Sequence, residues 1–351
     1  MTAMTTLFAK LRLVVAVAMM SAGPALIVSS HTAMAQGTGS MQTPDGGAHD
    51  TGRNPTAESV HEEDLFKTES KIHGFVSIPD VKSANLEQPM GRTWRRYHES
   101  WLPWIGGIAI LGMALGLTLF YLWKGTIGAD ENFSGQKLIR FNVLERGAHW
   151  MTASCFIILS LSGVNYVFGK RIIQPLIGND AFGTMSQYLK YAHNFLSWPF
   201  MLGVTTLFLL WVKDNIPNRI DIAWIKAGGG ILSKDGHAHA ERFNAGQKGV
   251  FWLVVLGGLT MSVTGLFLIF PFYVTDVTGQ QLAETVHGLF GVVYIAALLA
   301  HIYIGTIGMK GAYEAMGTGE VDLAWAKSHH DLWAEREVAE GRVSPAPAPA
   351  E

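Results

Sequence analysis

The sequence predicts an all-α integral membrane protein, a four-helix transmembrane bundle with one additional transmembrane helix ahead of it. Two observations carry this. Of 351 residues, 49% are hydrophobic and only 15% charged, and the apolar residues gather in runs far longer than a soluble core element needs. Five runs reach about 20 residues, enough to cross a bilayer, and backbone in lipid must satisfy its own hydrogen bonds, so each run is a helix.

The first 35 residues have a basic start at Lys10 and Arg12, an apolar stretch from Leu13 to Ile27, and Ala33-Met34-Ala35 before Gln36. That is the pattern of a cleavable secretory signal. The alternative is an uncleaved membrane helix, against which the Gly23-Pro24 pair counts. Residues 36–100 turn polar, with an acidic cluster at Glu62, Glu63 and Asp64, and read as a periplasmic extension, largely irregular unless a partner orders it. The additional helix is expected within 101–125, its apolar run at 102–123. The four-helix domain spans 138–312, with apolar runs at 148–168, 193–212, 249–273 and 282–308. Residues 313–351 form a charged, amphipathic C-terminal tail that ends in a disordered Ala-Pro run from Pro345 to Glu351.

Loop charges set the orientation. Arg219, Lys226, Lys234, Arg242 and Lys248 lie between the third and fourth runs, and Lys137, Arg140 and Arg146 between the first and second, whereas the loop between the fourth and fifth has no Lys or Arg. By the positive-inside rule this places the mature N-terminus in the periplasm and the C-terminus in the cytoplasm, in a multi-pass protein of the bacterial inner membrane. Arg92, Arg95 and Arg96 run against the rule, but a long exported tail is weakly governed by such charges. The net charge of −2 comes with no basic patch interleaved with aromatics, so no nucleic acid is expected as a partner. Cys155 is the single cysteine and lies in an apolar run, which excludes an internal disulfide, an iron-sulfur cluster and a Cys-x-x-Cys-His haem attachment.

Ionisable residues within spans are costly and point to function. Of thirteen histidines, His149, His193, His287 and His301 fall at or inside the spans. His287 and His301 share one helix at a separation of about 21 Å and on nearly one face. His149 opens the second span at its cytoplasmic end and His193 opens the third at its periplasmic end. Depth therefore pairs His193 with His287 and His149 with His301, giving two bis-histidine haem b sites stacked along the membrane normal. A lone histidine would be read as a hydrogen-bonded core residue or part of a proton relay. Zinc is disfavoured because the two levels are far apart and lack carboxylates or thiolates. Gly288 and Gly291 would let a flat macrocycle approach the backbone, or equally serve helix packing.

Asn244-Ala245-Gly246-Gln247-Lys248 precedes the fourth span on the cytoplasmic side. Its amides and the N–H groups of a helix start could donate to quinone oxygens, and an Asn-x-Gly sequence is also an ordinary turn and cap.

These segments together resemble the gamma, cytochrome b subunit of membrane-bound respiratory formate dehydrogenases. The resemblance rests on Arg146-Gly147-Ala148-His149-Trp150, on Asn215-Ile216-Pro217 with Asp221-Ile222 and Trp224, and on Phe243 followed by Asn244 to Lys248. It extends to His287 and His301, and to Trp325-Ala326-Lys327 with His329-His330 and Trp333, covering about 138–340. It implies a four-helix di-haem core and a quinone, the electron acceptor, bound near the cytoplasmic haem by Asn244, Gly246 and Gln247. It also implies two partners, a periplasmic molybdenum or tungsten catalytic subunit and an iron-sulfur subunit. Formate oxidation would then occur on the partner, while this chain conducts electrons to quinone. The N-terminal segment and the helix at 102–123 depart from the shorter family members. The rival within the class is the cytochrome b subunit of a hydrogenase or thiosulfate reductase, and outside it a transporter with a histidine relay.

Overall fold

The computed structural model describes residues 89–128, 133–230 and 238–345. The expected signal segment at 1–35, most of the polar extension and the Ala-Pro run after Pro345 lie outside the described residues.

Among the described residues, five helices are long and apolar enough to cross a membrane: Gly91–Lys124, Val143–Ile172, Asn179–Trp211, Ala245–Ile269 and Val277–Gly308. The first is built from α1 (Pro89–Arg96), a π-helical turn (Tyr97–Trp101) and α2 (Leu102–Lys124). The others are α3 (Val143–Ile172), α5 (Asn179–Trp211) after the short α4 (Gln174–Ile177), α7 (Ala245–Ile269), and α8 (Val277–Tyr303), which a second π-turn extends through Ile304–Gly308. Between α5 and α7 lies α6 (Arg219–Lys226), and the tail carries α9 (Ala312–Gly317), α10 (Leu323–His329) and α11 (Asp331–Ala339).

Helix ends follow caps more than apolar content. α3 starts at Val143, five residues before its apolar run, because Asn142 and Glu145 form a reciprocal capping box. α5 starts after Gly178, whose φ of 82° favours glycine, so His193 sits in mid-helix and not at the helix opening. α7 begins at the Asn244 cap and stops at Ile269, ahead of Pro271. Residues 89–100, expected within an irregular extension, are helical in the structure.

α3 packs along α5, α5 along α7, α7 along α8, and α8 returns to α3, closing the four-helix bundle, while α2 lies against α8. Leu102 meets Gly288 and Phe120 meets Tyr303, so α2 and α8 run parallel. The α3–α5 contact is close: a Cβ on Gly203 would lie 2.1 Å from the Thr152 hydroxyl oxygen, so no other residue fits without a shift. The outward face of α2 exposes Trp104, Ile108, Leu111, Leu115 and Leu119, side chains suited to lipid and not to water.

One end of the bundle gathers the start of α3, the end of α5, the start of α7 and the tail. There β1 (Lys137–Ile139) pairs antiparallel with β2 (Glu320–Asp322) on one side and β3 (Val343–Ser344) on the other, with Leu138 opposite Val321 and Val343. A buried cluster of Leu138, Phe141, Trp211, Phe243, Trp325 and Trp333 fills this sheet end. The tail is therefore part of the folded core, a role its charged composition did not announce.

Candidate functional site

The four span histidines converge in two pairs. His193 on α5 faces His287 on α8 with ring centres 6.2 Å apart, and His149 on α3 faces His301 on α8 with ring centres 6.2 Å apart. Two metal–imidazole bonds of about 2.0–2.1 Å, each extended by a ring radius of about 1.1 Å for ring bonds of about 1.33 Å, require about 6.3 Å between ring centres. Each pair thus fits a single iron held from both sides. Among the described residues no group of three His, Cys, Asp or Glu side chains converges as a metal site, so pairwise ligation is the arrangement this donor set offers.

Hydrogen bonding fixes the tautomer at the first level. The Ser162 hydroxyl has its one hydrogen shared between the carbonyls of Ile158 and Leu159, at 2.9 Å each, so its oxygen is left to accept from His193 Nδ1 at 2.7 Å. The Thr264 hydroxyl likewise donates to the Thr260 carbonyl at 2.7 Å and accepts from His287 Nδ1 at 2.9 Å. A hydroxyl has one hydrogen to give, so both rings carry their proton on Nδ1 and present Nε2 as the free lone pair. The second level differs: His149 Nδ1 is buried and has no hydrogen-bond partner among the described residues. Between the levels lie Cys155, Phe200, Val204 and Leu298 with the edge-to-face pair Phe156 and Tyr294.

Of the two readings of Gly288 and Gly291, the structure shows the helix-packing one. Gly288 faces the additional helix, where a Cβ would stand 2.9 Å from Leu102, and Gly291 faces Met261. Space beside a ligand candidate comes instead from Gly265 of α7, where a Cβ would lie 3.3 Å from the His287 ring. Nothing in the sequence distinguished Gly265, since its partner is distant in the chain.

Asn244 and Gln247 form the N-terminal cap of α7. Asn244 Oδ1 accepts from the Gln247 N–H at 2.9 Å and Gln247 Oε1 accepts from the Asn244 N–H at 3.2 Å. The amide nitrogens of both side chains are the donors this leaves. Gly246 is exposed and lies under the Trp224 ring, which a Cβ would approach to 3.2 Å. Trp224 is held there because Lys248 Nζ donates to Asp221 Oδ2 at 2.9 Å and to the Ile216 carbonyl at 3.2 Å, tying α6 to α7.

Below this cap lies a polar network that sequence reading missed. Arg140 is buried and donates from Nη2 to the Arg242 carbonyl at 2.6 Å, to Gln247 Oε1 at 3.3 Å and to His330 Nε2 at 3.0 Å. Its guanidinium lies 5.1–5.4 Å from the centres of the Phe141, Trp325 and Trp333 rings. Burial, reinforced by Arg242 and opposed by Glu145, pulls its pKa down to about 9, so it stays charged at neutral pH. His330 accepts from Arg140 and must therefore donate from Nδ1 to the Glu241 carbonyl, at 2.9 Å. Burial and then Arg140 push His330 well below the usual imidazole range, so the ring is neutral. Glu145 takes bonds from Trp211 Nε1 and Arg242, each at 2.7 Å. Asp322 is held below the usual carboxylate range by the Ser134, Ala324 and Gly135 N–H groups, against the effect of burial.

Comparison with known proteins shows which proteins the chain is similar to. The chain is 30% identical over 210 residues to the nitrate-inducible formate dehydrogenase cytochrome b556(Fdn) subunit of Escherichia coli K12, covering 58% of this chain and 94% of that subunit. It is 29% identical over 199 residues to the cytochrome b556(fdo) subunit of formate dehydrogenase from the same strain, covering 56% and 91%. It is 29% identical over 208 residues to the formate dehydrogenase cytochrome b556 subunit of Haemophilus influenzae, covering 58% and 84%. The model of the prokaryotic cytochrome b561 family matches residues 140–319, a stretch that contains α3, α5, α7 and α8 with all four paired histidines. The chain is an integral membrane protein of the prokaryotic cytochrome b561 family, whose cofactor is haem b.

Proposed function

We propose that this chain is the cytochrome b subunit of a formate dehydrogenase complex, carrying electrons from a periplasmic iron-sulfur subunit through two b haems to quinone near the cytoplasmic face. The observation that carries this reading is the pairing of His193 with His287 and of His149 with His301 at ring-centre distances of 6.2 Å, on one shared helix. The irons supply one-electron redox chemistry when bound. The protein leaves Nε2 of His193 and His287 free to ligate, places the Phe156 and Tyr294 layer between the levels, and separates the levels by about 21 Å of helix rise.

The sheet end is assigned to the cytoplasm, following the loop charges. Formate oxidation belongs to a molybdenum- or tungsten-containing partner, and the membrane is the bacterial inner membrane. Moving an electron inward against a negative-inside potential costs about 2.3 kcal/mol per 100 mV for a full crossing. Proton uptake from the cytoplasm at the quinone conserves that work as a gradient.

The quinone is assigned to the start of α7, where the cap leaves Asn244 Nδ2 and Gln247 Nε2 as donors beside the exposed Gly246. Both side chains also cap the helix, so replacement lowers stability by roughly 0.5–2 kcal/mol whether or not quinone binds. Kinetics decide the matter. In Asn244→Ala and Gln247→Ala, formate should still reduce both haems while reoxidation by quinone slows in stopped-flow absorbance. Unaltered reoxidation in both variants, at saturating and at limiting quinone, would remove the quinone assignment. Reduced-minus-oxidised spectra of the complex would separately show no b-type bands if the histidines served a proton relay.

A further inference from the structure

The additional helix lies outside the family match at 140–319, yet it is fastened to α8 on both sides of His287. Its π-turn follows from Pro103, which has no N–H to give the Glu99 carbonyl four residues earlier. That carbonyl instead accepts from the Arg171 guanidinium of α3. The widened turn directs Tyr97 and His98 at α8. Tyr97 Oη donates to the Thr285 carbonyl at 3.1 Å, and His98 Nε2 lies 3.3 Å from Glu284 Oε1. The His98 ring is itself held between Trp94, stacked at 5.6 Å, and the edge of Tyr166 at 6.2 Å. One turn further on, Leu102 fills the notch at Gly288, and Gly106 admits Val292 of α8 with a Cβ distance of 2.9 Å.

We propose that Tyr97 and His98 of the additional helix are positioning residues for His287, setting the backbone of α8 through Thr285 and Glu284 so that its imidazole meets His193. The inference rests on the haem-ligand reading given above. Its physical basis is that the attachments at 284, 285, 288 and 292 bracket residue 287, while the ring itself is held from the opposite side by Thr264 and Gly265 of α7. A ligand fixed from both sides keeps one ring orientation toward the iron, and supporting groups of this kind tune the metal through the ligand.

The test uses the full chain purified with its haems, in Tyr97→Phe, His98→Ala and His98→Gln, read by redox potentiometry and by the low-temperature electron paramagnetic resonance of the ferric haems. His193→Ala and His287→Ala first identify which spectral component belongs to this pair. Tyr97→Phe and His98→Ala are expected to move the reduction equilibrium of that component alone by about tenfold, about 59 mV for one electron, and to shift its resonance. His98→Gln keeps a donor toward Glu284 and is expected to restore the wild-type values. Unchanged potential and resonance in both Tyr97→Phe and His98→Ala would overturn the proposal, as would equal shifts or equal loss of both haems, which would mark a general structural prop. If His193→Ala and His287→Ala leave both haems intact, the ligand reading itself falls, and the positioning role with it.

Discussion

If each imidazole pair holds a haem, as proposed, removing the hydroxyls behind the first pair should change one haem potential and leave the other as it is. Ser162 accepts from His193 Nδ1 at 2.7 Å and Thr264 accepts from His287 Nδ1 at 2.9 Å, and an N–H donated away from the metal raises the basicity of the ligating nitrogen. More electron density on the iron favours the ferric state, so Ser162→Ala or Thr264→Val should raise the potential. Each change removes one neutral hydrogen bond, about 0.5–1.5 kcal/mol. Taking that as the upper limit of the difference between redox states, with about 1.36 kcal/mol and about 59 mV per factor of ten for one electron, the rise is at most about 20–65 mV per variant. The cost of an unsatisfied buried N–H falls on both oxidation states and cancels from the potential. His149 Nδ1 has no partner to lose, so the second haem is an internal control. Redox titration of the visible bands in single and double variants is the assay. A fall in potential, or an equal shift of both haems, would refute the tautomer argument.

Two further outcomes follow from the sheet end. Lys248→Met leaves the Asp221 carboxylate buried without its cation, a change of about 3–5 kcal/mol for a buried pair, and thermal unfolding in detergent should show part of this restored when Asp221→Asn is added. His330 is held neutral well below the ordinary imidazole pKa of 6.5. Its contribution is therefore complete above about pH 6.5 and declines as pH falls toward the depressed folded value, by up to about 1.36 kcal/mol per pH unit. Melting between pH 5 and 8 should show that slope in the wild type and a shallower one in His330→Gln.

What was legible in the sequence is what depends on local pattern. The five spans were visible because bilayer crossing demands a long apolar run, and the histidine pairs because helix rise and an up-down course fix depth without knowledge of contacts. Helix ends were less visible, since polar caps such as Asn142 and Glu145 lie outside the apolar windows that mark the spans. The position of His193 shows the consequence: the polar stretch from Asn179 onward disguised about four turns of α5. Gly288 stayed open between a place beside a macrocycle and helix packing because a notch has no meaning until the side chain that fills it is known, and that side chain, Leu102, lies far away in the sequence.

The tail was the largest omission, and the reason is physical. Its burial depends on pairs such as Leu138 with Val321 and Arg140 with His330, each more than 180 residues apart in sequence, so no short window of the chain contains both partners. Burying a guanidinium is costly unless its hydrogen bonds are met, and Arg140 has no carboxylate among its hydrogen-bonded partners. Its Nη2 draws instead on a backbone carbonyl, a neutral imidazole and the Gln247 amide, while its buried Nη1 has no hydrogen-bond partner among the described residues and the guanidinium lies against three aromatic faces. Two of those faces, Trp325 and Trp333, and the imidazole come from the tail. The segment that reads as a charged appendage thus supplies the environment in which Arg140 can hold Gln247, and through Gln247 the cap where quinone is assigned.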